Sequence, residues 1–315
     1  MNKSLGVVFP GQGSQSLGML ADIASEFPEI EATFMEASKI LGYDLWQLIQ
    51  VGPATELDKT VHTQPALLVA SYAIWQILKA KKSIAPALLA GHSLGEYSAL
   101  VCAESISFAD GVRLVAARGE YMQAAVPPGQ SGLAAIIGLD DADVLALCEK
   151  SALAGEVLSP ANYNSPGQVV IAGHIQAVER ALVLAKEAGA RMAKLLPVSV
   201  SSHCVLMKPA AEKLAVLLAS MSIQKPTIPV VSNVDVTIYD SADAIRDGLI
   251  RQLYMPVRWV ETIRLFSEKG IKHIVECGPG KVLTGLNKRI VADIQLTSAT
   301  DAASVRTLLE TTFET

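Results

Sequence analysis

The sequence predicts an α/β protein with a hydrolase-like core, a mostly parallel sheet and an inserted ferredoxin-like small domain. Three observations predict it. Short apolar runs of strand length alternate with amphipathic stretches of helix length along most of the 315 residues. That alternation implies parallel strands covered on both faces. Between 126 and 196 the order changes to strand-helix-strand-strand-helix-strand, the ferredoxin-like order. The segment Gly91-His92-Ser93-Leu94-Gly95 joins an apolar strand to a helix, as the nucleophile turn of an α/β sheet does. Half of the residues are hydrophobic, enough for a large domain with a smaller insert.

Each element has its own signal. Leu5–Phe9 is a short buried strand ended by Pro10 and Gly11. Glu29–Leu41 and Pro65–Lys81 carry helical periodicity, with Pro65 in a first turn that tolerates it. Ala85–Ala90 reads as a strand and Leu94–Ala103 as the helix after it. Ala109–Ala125 is a helix closed by Pro127, Pro128 and Gly129. In the insert, Leu133–Leu139 is a strand and Asp141–Ala152 a helix with Asp140 as its N-cap. Val157–Tyr163 and Gln168–Ala172 are strands about a turn at Asn164–Gly167. Ile175–Ala188 is a helix and Met192–Pro197 the last strand. The large domain resumes with a helix at Lys208–Met221, a strand at Pro229–Asn233 and helices at Ala244–Gln252 and Pro256–Lys269. Ile271–Cys277 is a strand leading into Gly278-Pro279-Gly280. Residues 1–125 and 197–315 are therefore expected to form the catalytic domain, and 126–196 the small one.

Composition narrows the function. A net charge of −5 argues against nucleic acid, whose phosphates need clustered Lys and Arg. The mean hydropathy of +0.35 raises the question of a membrane. The best apolar stretch, Pro65–Leu78, is broken by Ser71, Tyr72 and Gln76, and a span needs about 20 apolar residues. The N-terminus lacks a secretory pattern, so a cytoplasmic protein is expected; a monomer is expected too, although the sequence itself does not give the oligomeric state. Cys102, Cys148, Cys204 and Cys277 form no CxxC pair, which points to free thiols and to neither zinc nor a redox cofactor.

Ser93 is the candidate nucleophile. The sharp turn exposes its hydroxyl, and the Leu94 amide at the helix N-terminus faces a developing oxyanion. The bland alternative is a packed turn in which Ser93 caps the helix. The hydroxyl needs a base, and there are five histidines. His92 should point away from its neighbour, His62 precedes a helix, His174 lies in a turn of the insert and His273 begins a strand. His203 follows the crossing segment Val198–Ser202, which can return to the strand ends. The competing role for His203 is to cap the helix near Lys208. No acid completes a hydrolase triad, since Asp140, Asp141 and Asp143 belong to the insert. A carbonyl can orient the imidazole instead.

Several segments then carry a resemblance. Phe9-Pro10-Gly11-Gln12-Gly13-Ser14-Gln15, the nucleophile segment Gly91–Gly95 continuing as Glu96-Tyr97-Ser98-Ala99, and Arg118-Gly119 with Met122-Gln123 come in order. They are followed by Asn164-Ser165-Pro166-Gly167-Gln168, Gly173-His174, Ser202-His203, Gln252-Leu253-Tyr254 with Pro256-Val257 and Trp259, and Glu276 with Gly278-Pro279-Gly280. Over nearly its whole length the chain resembles the malonyl-CoA:acyl carrier protein transacylases of bacterial fatty-acid synthesis. The resemblance implies Ser93 as nucleophile, His203 as base and the backbone carbonyl of Gln252 as the group that holds the histidine. It implies backbone oxyanion donors at Gln12 and Leu94, and Arg118 as the grip on the malonyl carboxylate. A guanidinium suits that task because it binds a carboxylate in a planar fork and stays charged. By pattern alone Arg118 reads as a solvated helix arginine. The implied partners are malonyl-CoA and acyl carrier protein, with no metal and no cofactor.

Glu276 and the glycine turn after it read as structural. Rival readings are a serine esterase or thioesterase, a non-enzymatic scaffold on the same fold, and a discrete acyltransferase serving a polyketide synthase. Lys186, Arg191 and Lys194, or Lys281, Lys288 and Arg289, are candidate docking residues for an acidic carrier.

Overall fold

The computed structural model describes residues 2–82, 84–198 and 200–313. Ser199, in the crossing segment, lies outside the described residues. Strands β1 (Asn2–Phe9), β2 (Pro86–Gly91), β7 (His273–Cys277) and β8 (Gln295–Ala299) form one sheet in the order β2-β1-β7-β8. All of its pairings are parallel. Val7 and Phe9 of β1 enter the larger core with the helices Thr60–Lys82 and Leu94–Cys102. Val8 faces the other way, into a second cluster with Ile274, Trp259 and Phe266. Apolar packing on both faces explains why Leu5–Phe9 reads as an unbroken hydrophobic run.

The second sheet has β3 (Ser131–Ile137), β4 (Leu158–Ser165), β5 (Gln168–His174) and β6 (Met192–Leu195) in the antiparallel order β4-β5-β3-β6. This is the ferredoxin-like arrangement. Helices Asp141–Ser151 and Ile175–Glu187 cover one face, where Ala134, Ile136, Val169 and Ile171 meet Val144 and Val178. The alternating residues Leu133, Val170 and Ala172 face Cys204 of the segment that returns to the parallel sheet. Period-two alternation thus gives this sheet one face for its own core and one for the rest of the chain. Main-chain bonds on both sides of Val257 fasten the two parts: Tyr163 N donates to Val257 O, and Val257 N to Ala161 O, each at 2.9 Å.

Several boundaries depart from the sequence reading, each for a physical reason. The helix expected to begin at Pro65 begins at Thr60, so Pro65 lies inside it and His62 in its first turn. Proline there removes one helical bond, but Thr63, Gln64 and their neighbours are buried. Gly119 approaches Thr60 so closely that a Cβ on it would lie 2.8 Å from the Thr60 carbonyl oxygen. Pro229–Asn233 is not a full strand. Val230 makes a single bridge to Leu89, and Val231 one to Ile238, because Pro229 has no donor to extend the ladder. The helix expected from Pro256 begins at Trp259, since β4 takes Val257 as a partner. Asp140 holds the N-cap position of its helix, but its side chain makes no cap bond. The sequence reading did not anticipate the helices Ala21–Glu26, Leu45–Val51, Ala54–Leu57, Val282–Ile290 and Ala302–Glu310, nor β8.

The tightest backbone approach joins β1, β2 and the helix after β2. A Cβ on Gly91 would lie 1.8 Å from Gly95 C, and one on Gly95 would lie 2.0 Å from Phe9 O. Neither obstacle is a movable side chain. Gly95→Ala is therefore expected to lower stability by about 3 kcal/mol or more, read as a fall in Tm of roughly 6 °C or more in a thermal melt.

Candidate active site

Ser93 stands between β2 and the helix Leu94–Cys102 with φ +51° and ψ −106°. Such a non-glycine conformation costs on the order of 1–3 kcal/mol and persists only where its surroundings enforce it. Asn233 enforces it from outside the turn. Its Oδ1 accepts from Ser93 N at 2.8 Å and its Nδ2 donates to Gly91 O at 2.7 Å. Ser93 occupies the N-cap position, yet its side chain makes no cap bond. The hydroxyl instead meets His203 Nε2 at 2.7 Å.

His203 also lies in the left-handed region, at φ +64°, and its amide donates to Leu253 O at 2.9 Å. Its Nδ1 lies 2.7 Å from Gln252 O. A carbonyl only accepts, so Nδ1 carries the proton and Nε2 presents a lone pair to Ser93. Both ring nitrogens are engaged, and the histidine caps no helix. Burial, followed by the Arg118 charge, pushes the His203 imidazole down to about 3, so it is neutral near pH 7.

The other histidines are tied elsewhere. His92 Nε2 meets Asn164 Oδ1 at 2.7 Å, His62 Nδ1 meets Glu56 O at 2.8 Å and His273 Nε2 meets Thr297 Oγ1 at 2.8 Å. His174 Nδ1 accepts from Val157 N at 2.8 Å.

Arg118 is 1% exposed, so it is not the solvated helix arginine that its pattern allows. Nη1 donates to Gln64 Oε1 at 2.8 Å, and Nη2 donates to Gln252 Oε1 at 2.9 Å and to Ser93 Oγ at 3.2 Å. The guanidinium carbon lies 5.0 Å from the centre of the Tyr97 ring, a cation–π distance. Among the described residues every hydrogen-bond acceptor of this cation is neutral, and Nε has no partner. Gln12, Ser93, Leu94, Arg118 and His203 line one cavity, with Leu133 and Val170 of the antiparallel sheet on its far side. Gln12 is exposed, on a loop pressed against the nucleophile turn. A Cβ on Gly11 would lie 2.5 Å from His92 O. The Leu94 amide opens a helix and so has no carbonyl one turn before it in that helix. Gln252 lies behind the cavity wall.

The sequence reading assigned no role to Gln64, Glu96 or Asn233. Glu96 is 0% exposed. Its Oε1 accepts from Tyr239 OH at 2.6 Å and from Asn233 N at 3.3 Å, and its Oε2 accepts from Gln252 Nε2 at 2.6 Å. Burial lifts this carboxyl to about 7, against the pull of its hydrogen-bond donors and of Arg118. A signal was present: Glu96 is a lone carboxylate in an otherwise apolar or small-residue helix. Glu276 caps the helix Val282–Ile290, accepting from Leu283 N at 3.0 Å and from Thr284 N and Oγ1 at 2.7 Å. It thereby fixes the cavity wall at Val282 and Leu283.

The family model of the acyl transferase domain matches residues 7–308, and the chain is an acyltransferase. The malonyl CoA-acyl carrier protein transacylase of Escherichia coli strain K12 is 58% identical, over 96% of this chain and 98% of its own. The Bacillus subtilis transacylase of the same name is 42% identical, with 96% of each chain covered. Among solved structures, a malonyl-transacylase in complex with a type II PKS acyl-carrier protein is 57% identical. It superposes with a TM-score of 0.96 over 98% of this chain and 99% of its own. A Vibrio cholerae acyl carrier protein S-malonyltransferase is 54% identical, with a TM-score of 0.94 over 97% and 99% of the two chains. The chain belongs to the malonyl-CoA:acyl carrier protein transacylase family.

The neutral imidazole sets a pH dependence. An unfolded histidine titrates near ~6.5. Its neutral burial therefore stabilises the fold fully above that value, and the contribution is lost as pH falls from there toward about 3. The rate at which phenylmethanesulfonyl fluoride, an uncharged reagent, modifies Ser93 is expected to hold level from about pH 7.5 to about pH 5.5. A sigmoidal fall centred near ~6.5 would mean that the base titrates as an ordinary histidine.

Proposed function

We propose that this chain transfers a malonyl group from malonyl-CoA to the phosphopantetheine thiol of acyl carrier protein through a malonyl ester on Ser93. The observation that carries the reading is Arg118. It is a buried cation with only neutral acceptors, 3.2 Å from the Ser93 hydroxyl, and malonyl differs from acetyl by one carboxylate. The names of the relatives support the same substrate and carrier.

The distances at Ser93 and His203 support the following steps. His203 Nε2 takes the Ser93 proton as Oγ attacks the thioester carbonyl. The amides of Gln12 and Leu94 receive the oxyanion, and each such donor is worth roughly 10²–10³ in rate. Coenzyme A leaves as its sulfur takes the proton back from His203. The carrier thiol then gives its proton to His203, its sulfur attacks the ester, and Ser93 Oγ departs and is reprotonated. The Gln252 carbonyl keeps the imidazole in one tautomer throughout. Malonyl binding also neutralises Arg118, one of the groups that weaken His203 as a base, so the substrate strengthens the base it needs.

On this reading the enzyme works as a cytoplasmic monomer without metal or cofactor, and residues 126–196 form a separate small domain over the cavity. Among the described residues no helix is long and apolar enough to cross a membrane. A second carrier class has one specific observation behind it, the structural neighbour in complex with a type II PKS acyl-carrier protein. The chemistry is the same for that carrier.

Intact-protein mass spectrometry after brief mixing with malonyl-CoA tests the proposal. A malonyl adduct is expected on the wild type and not on Ser93→Ala, and carrier should discharge it much faster than water does. Discharge by water at the same rate would favour a hydrolase. Arg118→Ala is expected to lose malonyl transfer by about 10²-fold or more, from lost charge-assisted bonds, while acetyl transfer is kept or raised. Equal losses would remove Arg118 as the selectivity residue.

A further inference from the structure

We infer that Glu96 is a positioning residue for acyl selectivity: it fixes the side-chain amide of Gln252, which in turn holds the Arg118 guanidinium beside Ser93. The inference rests on the malonyl-transfer reading above and adds the group that aims its arginine.

The argument starts from the two ends of one amide. Gln252 Oε1 accepts from Arg118 Nη2 at 2.9 Å. Gln252 Nε2 donates to Glu96 Oε2 at 2.6 Å and to Ser93 O at 2.9 Å. An amide has one accepting and one donating end. A carboxylate and a carbonyl at the nitrogen end force the oxygen toward the guanidinium. If the amide turned over, its oxygen would face two acceptors and its NH₂ group would face a cation. Buried groups mismatched in this way cost about 1–3 kcal/mol each.

Glu96 also has no freedom to swing. It is wholly buried in the helix Leu94–Cys102. Its second oxygen is held by Tyr239 OH and Asn233 N, and Asn233 is the residue that clamps Ser93 N and Gly91 O. One carboxyl therefore references the arginine and the nucleophile turn to the same rigid helix. Arg118 makes no ion pair of its own among the described residues, and Gln252 and Gln64 are the side-chain amides that aim its fork.

Two substitutions separate reach from charge. Glu96→Gln keeps an oxygen able to accept from Gln252, turns its NH₂ toward the Tyr239 hydroxyl, which can accept from it, and cannot ionise. Glu96→Asp keeps an ionisable carboxyl but is shorter by one carbon–carbon bond, about 1.5 Å, which takes its oxygens out of hydrogen-bond range of Gln252. The readout is the ratio of Ser93 acylation rates with malonyl-CoA and acetyl-CoA, followed by intact mass, alongside a thermal melt for each variant. Positioning predicts a fall of about tenfold or more in the ratio for Glu96→Asp, equivalent to half the worth of a charge-assisted bond. It predicts a ratio within about threefold of wild type for Glu96→Gln. The reverse order, or wild-type ratios in both variants, would overturn the inference. A wild type that forms no malonyl adduct would instead sink the transfer reading, whatever the variants do.

Discussion

The structure depends on one close approach. Gly91 and Gly95 let the chain fold back within van der Waals contact at the end of β2, and Gly95 rests against the carbonyl of Phe9 at the end of β1. With those glycines the helix Leu94–Cys102 starts almost on top of the sheet, and Ser93 is forced to a positive φ. Everything else at the site is arranged around a hydroxyl that cannot relax away. Asn233 locks the turn from one side, the Gly11 loop from another, and His203 and Arg118 reach the same oxygen from two different helix-associated segments.

The electrostatics follow from burial. The cavity holds a neutral imidazole and a full positive charge, both largely removed from water. An excluded solvent cannot screen them, so Arg118 weakens the proton affinity of its neighbour. The site meets its cation with amide oxygens rather than with a carboxylate in direct contact, and Nε has no partner. That choice leaves the cation without a paired anion among the described residues.

Much of this was legible in the sequence because the responsible signals are local. The strand, tight turn and helix about Ser93 are written in adjacent residues, and so is the two-sheet architecture, in its switch of order and period. The backbone partner of His203 was named only through family resemblance, since any residue type offers a carbonyl. Asn233 and Gln64 escaped because their partners lie 140 and 54 positions away in the chain, and amides give no periodic pattern. The misplaced helix starts at Pro65 and Pro256 share one cause. Proline marks a local preference, but tertiary packing at Thr60 and strand pairing at Val257 override it. The strand β8 was missed because its residues Gln-Leu-Thr-Ser-Ala are mostly half-buried and weakly apolar.

The partner of the histidine is a main-chain carbonyl, and this divides residue 252 into two separately heritable parts. Its carbonyl serves His203 whatever side chain residue 252 carries, whereas its side chain is bonded to Ser93 O, Glu96 and Arg118. A substitution at residue 252 therefore acts on the Ser93 turn and the arginine while leaving in place the carbonyl that orients the histidine, a separation unavailable where a histidine leans on an aspartate side chain.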